Sequence, residues 1–278
     1  MKIAISAEST IDLPKEQLKK LNISTVPFGI FLGDELIKDG DISLSEMFEF
    51  VKKRNILPKT SAVNEFQFQE HFSKLLEKND AVVHFSLSSG VSSAYVNAKA
   101  VADKMENVYV VDTLAMSVGI AMITMNAVKM KKDGSTAKEI YDYSMQLRNK
   151  LQTTYIIEKL NYLYKGGRCS ALQLFGSNIL RIRPQIVVKD GKMVVGKKFR
   201  GKMNDATKAF CEYVMDNCPN PDLESVFIIY STATDEMLES ARTALKNKGF
   251  KNIYEAITGI TIASHCGEHT LGLIFFEK

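Results

Sequence analysis

Residues 81–95 read AVVHFSLSSGVSSAY. The apolar, β-branched run 81–85 stops at a cluster of hydroxyls around Gly90, and a helix-forming stretch, AYVNAKAVADKM, follows. That order predicts a strand, a tight turn and a helix N-terminus. Such a turn leaves backbone N–H groups free at the positive end of a helix dipole, which suits an anion. Ser88, Ser89, Ser92 and Ser93 add donors without adding charge. The expectation is a site for a carboxylate or a phosphate.

The same rhythm extends outward in both directions. KIAIS (2–6) predicts a first strand, with Ser9 or Thr10 capping a helix over 14–20. Ser43 or Ser45 would cap SEMFEFVKKRN, and the loop LPKTSAVN precedes a helix over 65–78. Downstream come the strand NVYVVDT and helices over 114–132 and 137–149, the second capped by Ser135 or Thr136. Alternating strands and helices predict a mainly parallel, doubly wound sheet, with ligands at the carboxyl ends of its strands. After Lys150 the pattern changes. TTYIIE reads as a strand, a short helix and a Gly166-Gly167 turn follow, and RPQIVVKDGKMVVGKKF is a hairpin centred on Asp190-Gly191. Helices, the strand SVFIIYS and the runs NIYEAI and TLGLIFFE complete a mixed sheet, and the run GITIA ahead of His265 is strand-like in composition. The fold class expected is α/β, with two α/β domains: residues 1–155 around a parallel sheet, and residues 156–278 around a mixed sheet with helices.

Bulk properties narrow the function classes. A chain of 278 residues with 45% hydrophobic and 24% charged residues is an ordinary folded protein. No apolar run reaches the length of a membrane span, and MKIAISAEST reads as a strand rather than a leader, so a cytoplasmic location is expected. Cys169, Cys211, Cys218 and Cys266 have neither disulfide nor zinc spacing, and no nucleotide-binding motif is present; no metal or cofactor is expected. A net charge of +4 is too mild to argue for nucleic acid. Fifteen Phe, twelve Met and no Trp suit either an adaptable apolar pocket or a plain core.

Seven segments occur in a recognisable order: EST-x-DLP (8–14), KTS (59–61), SSGVSSAY (88–95), DTLAMSVG (112–119), YKGGRCS (164–170), RPQIVVKDG (183–191) and SHCGEHTLGLIFF (264–276). In these the chain resembles the DegV family, bacterial fatty-acid-binding proteins that present an acyl chain to a fatty acid kinase. The resemblance covers almost the whole chain. It implies two α/β domains with a long-chain fatty acid buried between them. It also implies a carboxylate held by Thr60 and Ser92, with His265 close by and Ser61 and Ser93 as neighbours. Arg168 matches a surface position that serves the kinase. The departures are Glu8 in place of Asp; Ala62, Val63 and Asn64 after the Thr-Ser pair; Ser93 and Ala94 in the hydroxyl turn; and Glu268 and His269 in place of Pro and Gly.

Each site residue also has a plainer reading. Thr60 or Ser61 could be a helix N-cap, and Ser88, Ser89 and Ser93 turn or cap groups. Asp112 and Ser117 could cap a helix, and His265 could be a satisfied structural residue. Arg168, on a Gly-Gly turn, and the basic hairpin (Lys189, Lys192, Lys197, Lys198, Arg200, Lys202) could be a solvated face or a dock for an acidic partner. A rival from another class is a serine esterase or thioesterase. Gly90-Val91-Ser92-Ser93-Ala94 is one residue from a nucleophile elbow, and Ser92, Asp112 and His265 follow the hydrolase order. The short Ser92–Asp112 spacing and the lack of an oxyanion-loop motif count against it.

Overall fold

The computed structural model describes residues 1–169 and 182–278; Ser170, the last residue of the 164–170 segment, lies outside them. The N-terminal half runs β1 (Ile3–Glu8), α1 (Lys15–Leu21), β2 (Ile23–Val26), β3 (Gly29–Leu32), β4 (Glu35–Lys38), α2 (Leu44–Arg54), β5 (Lys59–Ser61), α3 (Glu65–Leu76), β6 (Ala81–Ser86), α4 (Ala94–Ala102), β7 (Val108–Asp112), α5 (Val118–Lys132) and α6 (Ala137–Leu147). Strands β2-β1-β6-β7 form an all-parallel sheet, as the alternating pattern predicts. Every residue of β1 and β6 is buried, the signature of a sheet covered on both faces. A small antiparallel sheet, β4-β3-β5, stands beside it and pairs Thr60 with Ile30.

The C-terminal half runs β8 (Leu151–Ile156), α7 (Leu160–Lys165), β9 (Ile182–Lys189), β10 (Lys192–Arg200), α8 (Met203–Asp216), β11 (Pro221–Tyr230), α9 (Asp235–Lys248), β12 (Asn252–Ile257), α10 (Ile260–Cys266) and β13 (Leu271–Glu277). These strands make one mixed sheet, β10-β9-β8-β13-β11-β12, in which only β11 and β12 run parallel. β8 already belongs to this sheet, so a boundary at 155/156 would cut through a strand. We place the division between the halves just ahead of Leu151.

Strand period decides which side chains meet. In β13, Leu271, Leu273 and Phe275 pack with α8 and α9 in one core, while Ile274 and Phe276 join the core shared with the parallel sheet. α5 is buried from Val118 to Thr124 and contacts β1, β6 and β13. One apolar core therefore runs between the two sheets, and the cavity described below opens within it.

Four local expectations are corrected. α1 starts behind Pro14 with no side-chain cap; Ser9 Oγ instead donates to Asp39 Oδ2 at 2.8 Å. α5 starts at Val118, not at 114, because Leu114 and Ser117 take positive φ (51° and 55°), which no helix residue can hold. The second helix ends at Leu147 and continues as a 3₁₀ turn over Arg148–Lys150. GITIA, strand-like in composition, lies in helix α10, for a reason given below. Caps at Ser43 and Thr136 form as expected, each in a full capping box. The 190–191 hairpin turn has positive φ at both residues (49° and 75°), the type I′ form. A Cβ at Gly191 would collide with Ser88 Oγ, which donates to the Gly191 carbonyl at 2.7 Å. The hairpin tip of the C-terminal half is thereby seated on the hydroxyl turn of the N-terminal half.

Candidate functional site

The hydroxyl turn differs from the expected anion cradle. Its amides already have partners: Gly90 N donates to Ser88 Oγ, Val91 N and Ser92 N to the Ser88 carbonyl, and Ser89 N to Asp112 Oδ1. Asp112 also accepts from Ser89 Oγ at 2.5 Å and Leu114 N at 3.2 Å, so a carboxylate of the protein already holds both donors of Ser89. Glu8 holds the turn from beneath. It is fully buried and accepts from Ser86 Oγ (2.6 Å), Leu87 N (2.8 Å) and the His84 ring (3.2 Å). His84 Nδ1 and His71 Nε2 both contact Ser6 Oγ, so these two histidines belong to a structural network. Ser92 Oγ accepts from Ala94 N at 3.1 Å, which leaves its own proton available.

Thr60 is not a helix cap. Asn64 caps α3 in a capping box with Gln67, while Thr60 and Ser61 sit half-buried in β5. Thr60 Oγ1 lies 2.9 Å from His265 Nε2 across 205 residues of chain. His265 comes from the last turn of α10, and α10 is anchored by Asp39 of the N-terminal half. Asp39 accepts from Ile260 N (3.1 Å) and Thr261 Oγ1 (2.8 Å), capping the helix from outside its own segment. Spacing carries no signal for this capping role of Asp39, because its side-chain partners lie 30 to 222 residues away. Gly166, after α7, packs on the His265 ring; a Cβ there would collide with Nδ1. That buried Nδ1 has no partner.

Thr60, Ser92 and His265 border one cavity of about 360 Å³ between the two sheets, within the range of small-molecule sites. Ser61, Ala62, Ser93 and Arg168 border it too. Its other walls include Phe28, Leu87, Met116, Ile229 and Ile274. Burial, and secondarily the Arg168 charge, push the His265 pKa down to about 4, so the ring is neutral near pH 7. Arg168 is exposed, donates to the Gly166 and Val91 carbonyls, and stands at the rim. A cation thus accompanies the neutral donors, which sequence reading had assigned to the surface alone.

The hydrolase reading lacks its relay. Asp112 bonds to Ser89 and Leu114, His265 to Thr60, and Ser92 to Ala94; no hydrogen bond among the described residues joins Ser92, Asp112 and His265. The other altered neighbours have local roles. Val63 is buried and its carbonyl accepts from Asn97. Glu268 pairs with Lys159 at 2.5 Å, and His269 takes a left-handed conformation (φ 52°). No group of three or more metal-ligating side chains and no helix long and apolar enough to cross a membrane occurs among the described residues.

A Thermotoga maritima protein described as a fatty acid-binding protein is 28% identical over 98% of this chain and 96% of its own. A Clostridium acetobutylicum DegV domain-containing protein is 28% identical over 100% of this chain and 99% of its own. The crystal structure of a DegV lipid binding protein from Thermotoga maritima is 26% identical, covers 100% of both chains and gives a TM-score of 0.84. Both Thermotoga proteins are described as binding proteins. The sequence model of the DegV family, described as uncharacterised proteins, matches residues 2–278, and the chain belongs to that family.

Proposed function

We propose that this protein is a cytoplasmic carrier that buries one long-chain fatty acid in the cavity and presents its carboxylate to a fatty acid kinase for acyl-phosphate formation. One observation carries the reading: Thr60, Ser92, His265 and Arg168, from four separate segments, border the same apolar cavity between the two halves. The neutral His265 donates Nε2–H to Thr60 Oγ1. Thr60 then directs its own proton to the ligand carboxylate, as does Ser92, whose oxygen is engaged by Ala94 N. Ser61 and Ser93 flank these donors. Arg168 at the rim offsets the carboxylate charge and marks the face a kinase must approach. The site needs no cofactor.

The magnitudes support a carrier. Burying about fourteen methylenes gains on the order of 10 kcal/mol, while a hydrogen bond to a charged group nets about 1.5–3 kcal/mol. The tail supplies most of the affinity and the hydroxyls set its direction. Titration of Thr60→Ala with Ser92→Ala against palmitate tests the head-group assignment: at least about tenfold weaker binding is expected, and unchanged affinity would refute it. Arg168→Ala should impair acyl phosphorylation more than fatty-acid binding.

A further inference from the structure

Most hydroxyl protons in the cavity wall away from the head-group residues are already committed. Thr261 Oγ1 donates to Asp39 Oδ2 at 2.8 Å, and Ser117 Oγ to Asp12 Oδ2 at 2.5 Å. Thr270 Oγ1 donates to the Cys266 carbonyl at 2.9 Å, and Tyr155 Oη to Met193 Sδ at 2.8 Å. Thr258 Oγ1 has no partner, but it is sealed inside the protein. Thr153 Oγ1 also has no hydrogen-bond partner among the described residues, yet it is not sealed: the residue is 4% exposed and borders the cavity. Folded interiors hold few such groups, because a buried hydroxyl without a partner is destabilising. In a cavity wall, an occupant can bring the missing partner.

The surroundings of Thr153 say what that partner is. Side chains alternate between the two faces of β8, so Leu151, Thr153 and Tyr155 share the face turned toward α5. A Cβ at Gly119 of α5 would lie 3.5 Å from Thr153 Oγ1 and 3.0 Å from Leu151 Cδ2. The hydroxyl therefore points off the mixed sheet, toward the bare backbone of α5 in the other half. Across the sheet Thr153 pairs with Ile274, another wall residue. Leu151, Ile274 and Gly119 are apolar, and burying a second carboxylate among them would be costly. A hydroxyl is neutral, both donates and accepts, and so matches a group whose own donor and acceptor are free. Thr60, His265 and Thr153 border one cavity, so an acid that fills it lies against Thr153 with part of its chain. A plain alkyl chain covers Thr153 and leaves it unpaired.

We propose that Thr153 is a second polar subsite of the cavity, pairing with a hydroxyl group carried on the chain of a long-chain acid. This rests on the fatty-acid-binding reading above. The test is calorimetric titration of the wild-type chain, Thr153→Val and Thr153→Ser with stearate and with a positional series of hydroxystearates. The isomers differ only in where the hydroxyl sits, so differences among them report its position. In the wild type, one isomer or a few adjacent ones should bind at least about fivefold more tightly than the rest, the effect of one satisfied buried hydrogen bond. Thr153→Val should erase that preference and bind stearate at least as tightly as the wild type, because no hydroxyl is then left unpaired. Thr153→Ser should retain the preference. Stearate binding with all isomers alike in the wild type would overturn the subsite and leave the carrier intact. So would a preference that survives in Thr153→Val. A folded valine variant that binds stearate and every isomer more weakly by one common factor would make Thr153 a head-group ligand, and would also overturn the subsite. If neither stearate nor any hydroxystearate binds the wild type, the carrier reading fails and the subsite with it. Should Thr153→Val fail to fold, the serine variant decides: a retained preference supports the subsite, and a lost one overturns it.

Discussion

At the scale of single residues, the site depends on a histidine kept neutral. His265 has its pKa pushed down to about 4 by burial and then by Arg168, and His71 is pushed down to about 3 by burial and then by His84. An imidazole whose pKa falls on folding binds its proton better in the unfolded chain. Stability therefore rises with pH between about 4 and the unfolded value near 6.5, and is lost on acidification through that window. Thermal unfolding followed from pH 7 to pH 4 should show a fall of several degrees, since each 1 kcal/mol moves Tm by about 2–4 °C at this size. His71→Gln should flatten that slope; an unchanged slope would remove His71 from the explanation. A bound carboxylate acts on His265 in the opposite sense, because it favours the imidazolium. NMR titration of the His265 ring should show its midpoint move upward when palmitate is added, and no movement would place the carboxylate elsewhere.

At the scale of elements, the site is an assembly of strand ends and one borrowed helix. Asp39 ties α10 to the N-terminal half through Ile260 N and Thr261 Oγ1. Asp39→Ala should cost about 1–3 kcal/mol of stability and weaken palmitate binding, since His265 loses its anchor. Gly166→Ala should displace the His265 ring and weaken binding about tenfold, the effect of one lost hydrogen bond in the head-group site, with smaller change in Tm. These elements also show what the sequence could reveal. The parallel sheet was legible because β1, β6 and β7 are apolar runs with caps and turns in adjacent residues. α10 was not: GITIA has strand composition, and its helical state depends on a carboxylate 221 residues away. Thr60 and Ser61 looked like caps because hydroxyls before a helix usually are; Asn64, three residues on from Ser61, has that role instead. Thr60, Ser92 and His265 were found through family resemblance, and spacing alone left each with a plainer reading. The tie from Asp39 to α10 carried no local signal, because Ile260 and Thr261 lie more than 220 residues away.

At the scale of the whole molecule, two sheets share one apolar core and leave a cavity inside it, with hydroxyls and His265 in its wall and Arg168 at its rim. Most of the binding free energy should then come from the tail, so affinity for saturated acids should rise with chain length until the cavity is full. The most direct test is native mass spectrometry of the protein isolated from its own host, followed by denaturation and lipid extraction. The account predicts one long-chain fatty acid per chain, released only on unfolding. A protein that is empty as isolated, and that takes up no added palmitate or stearate, would contradict it.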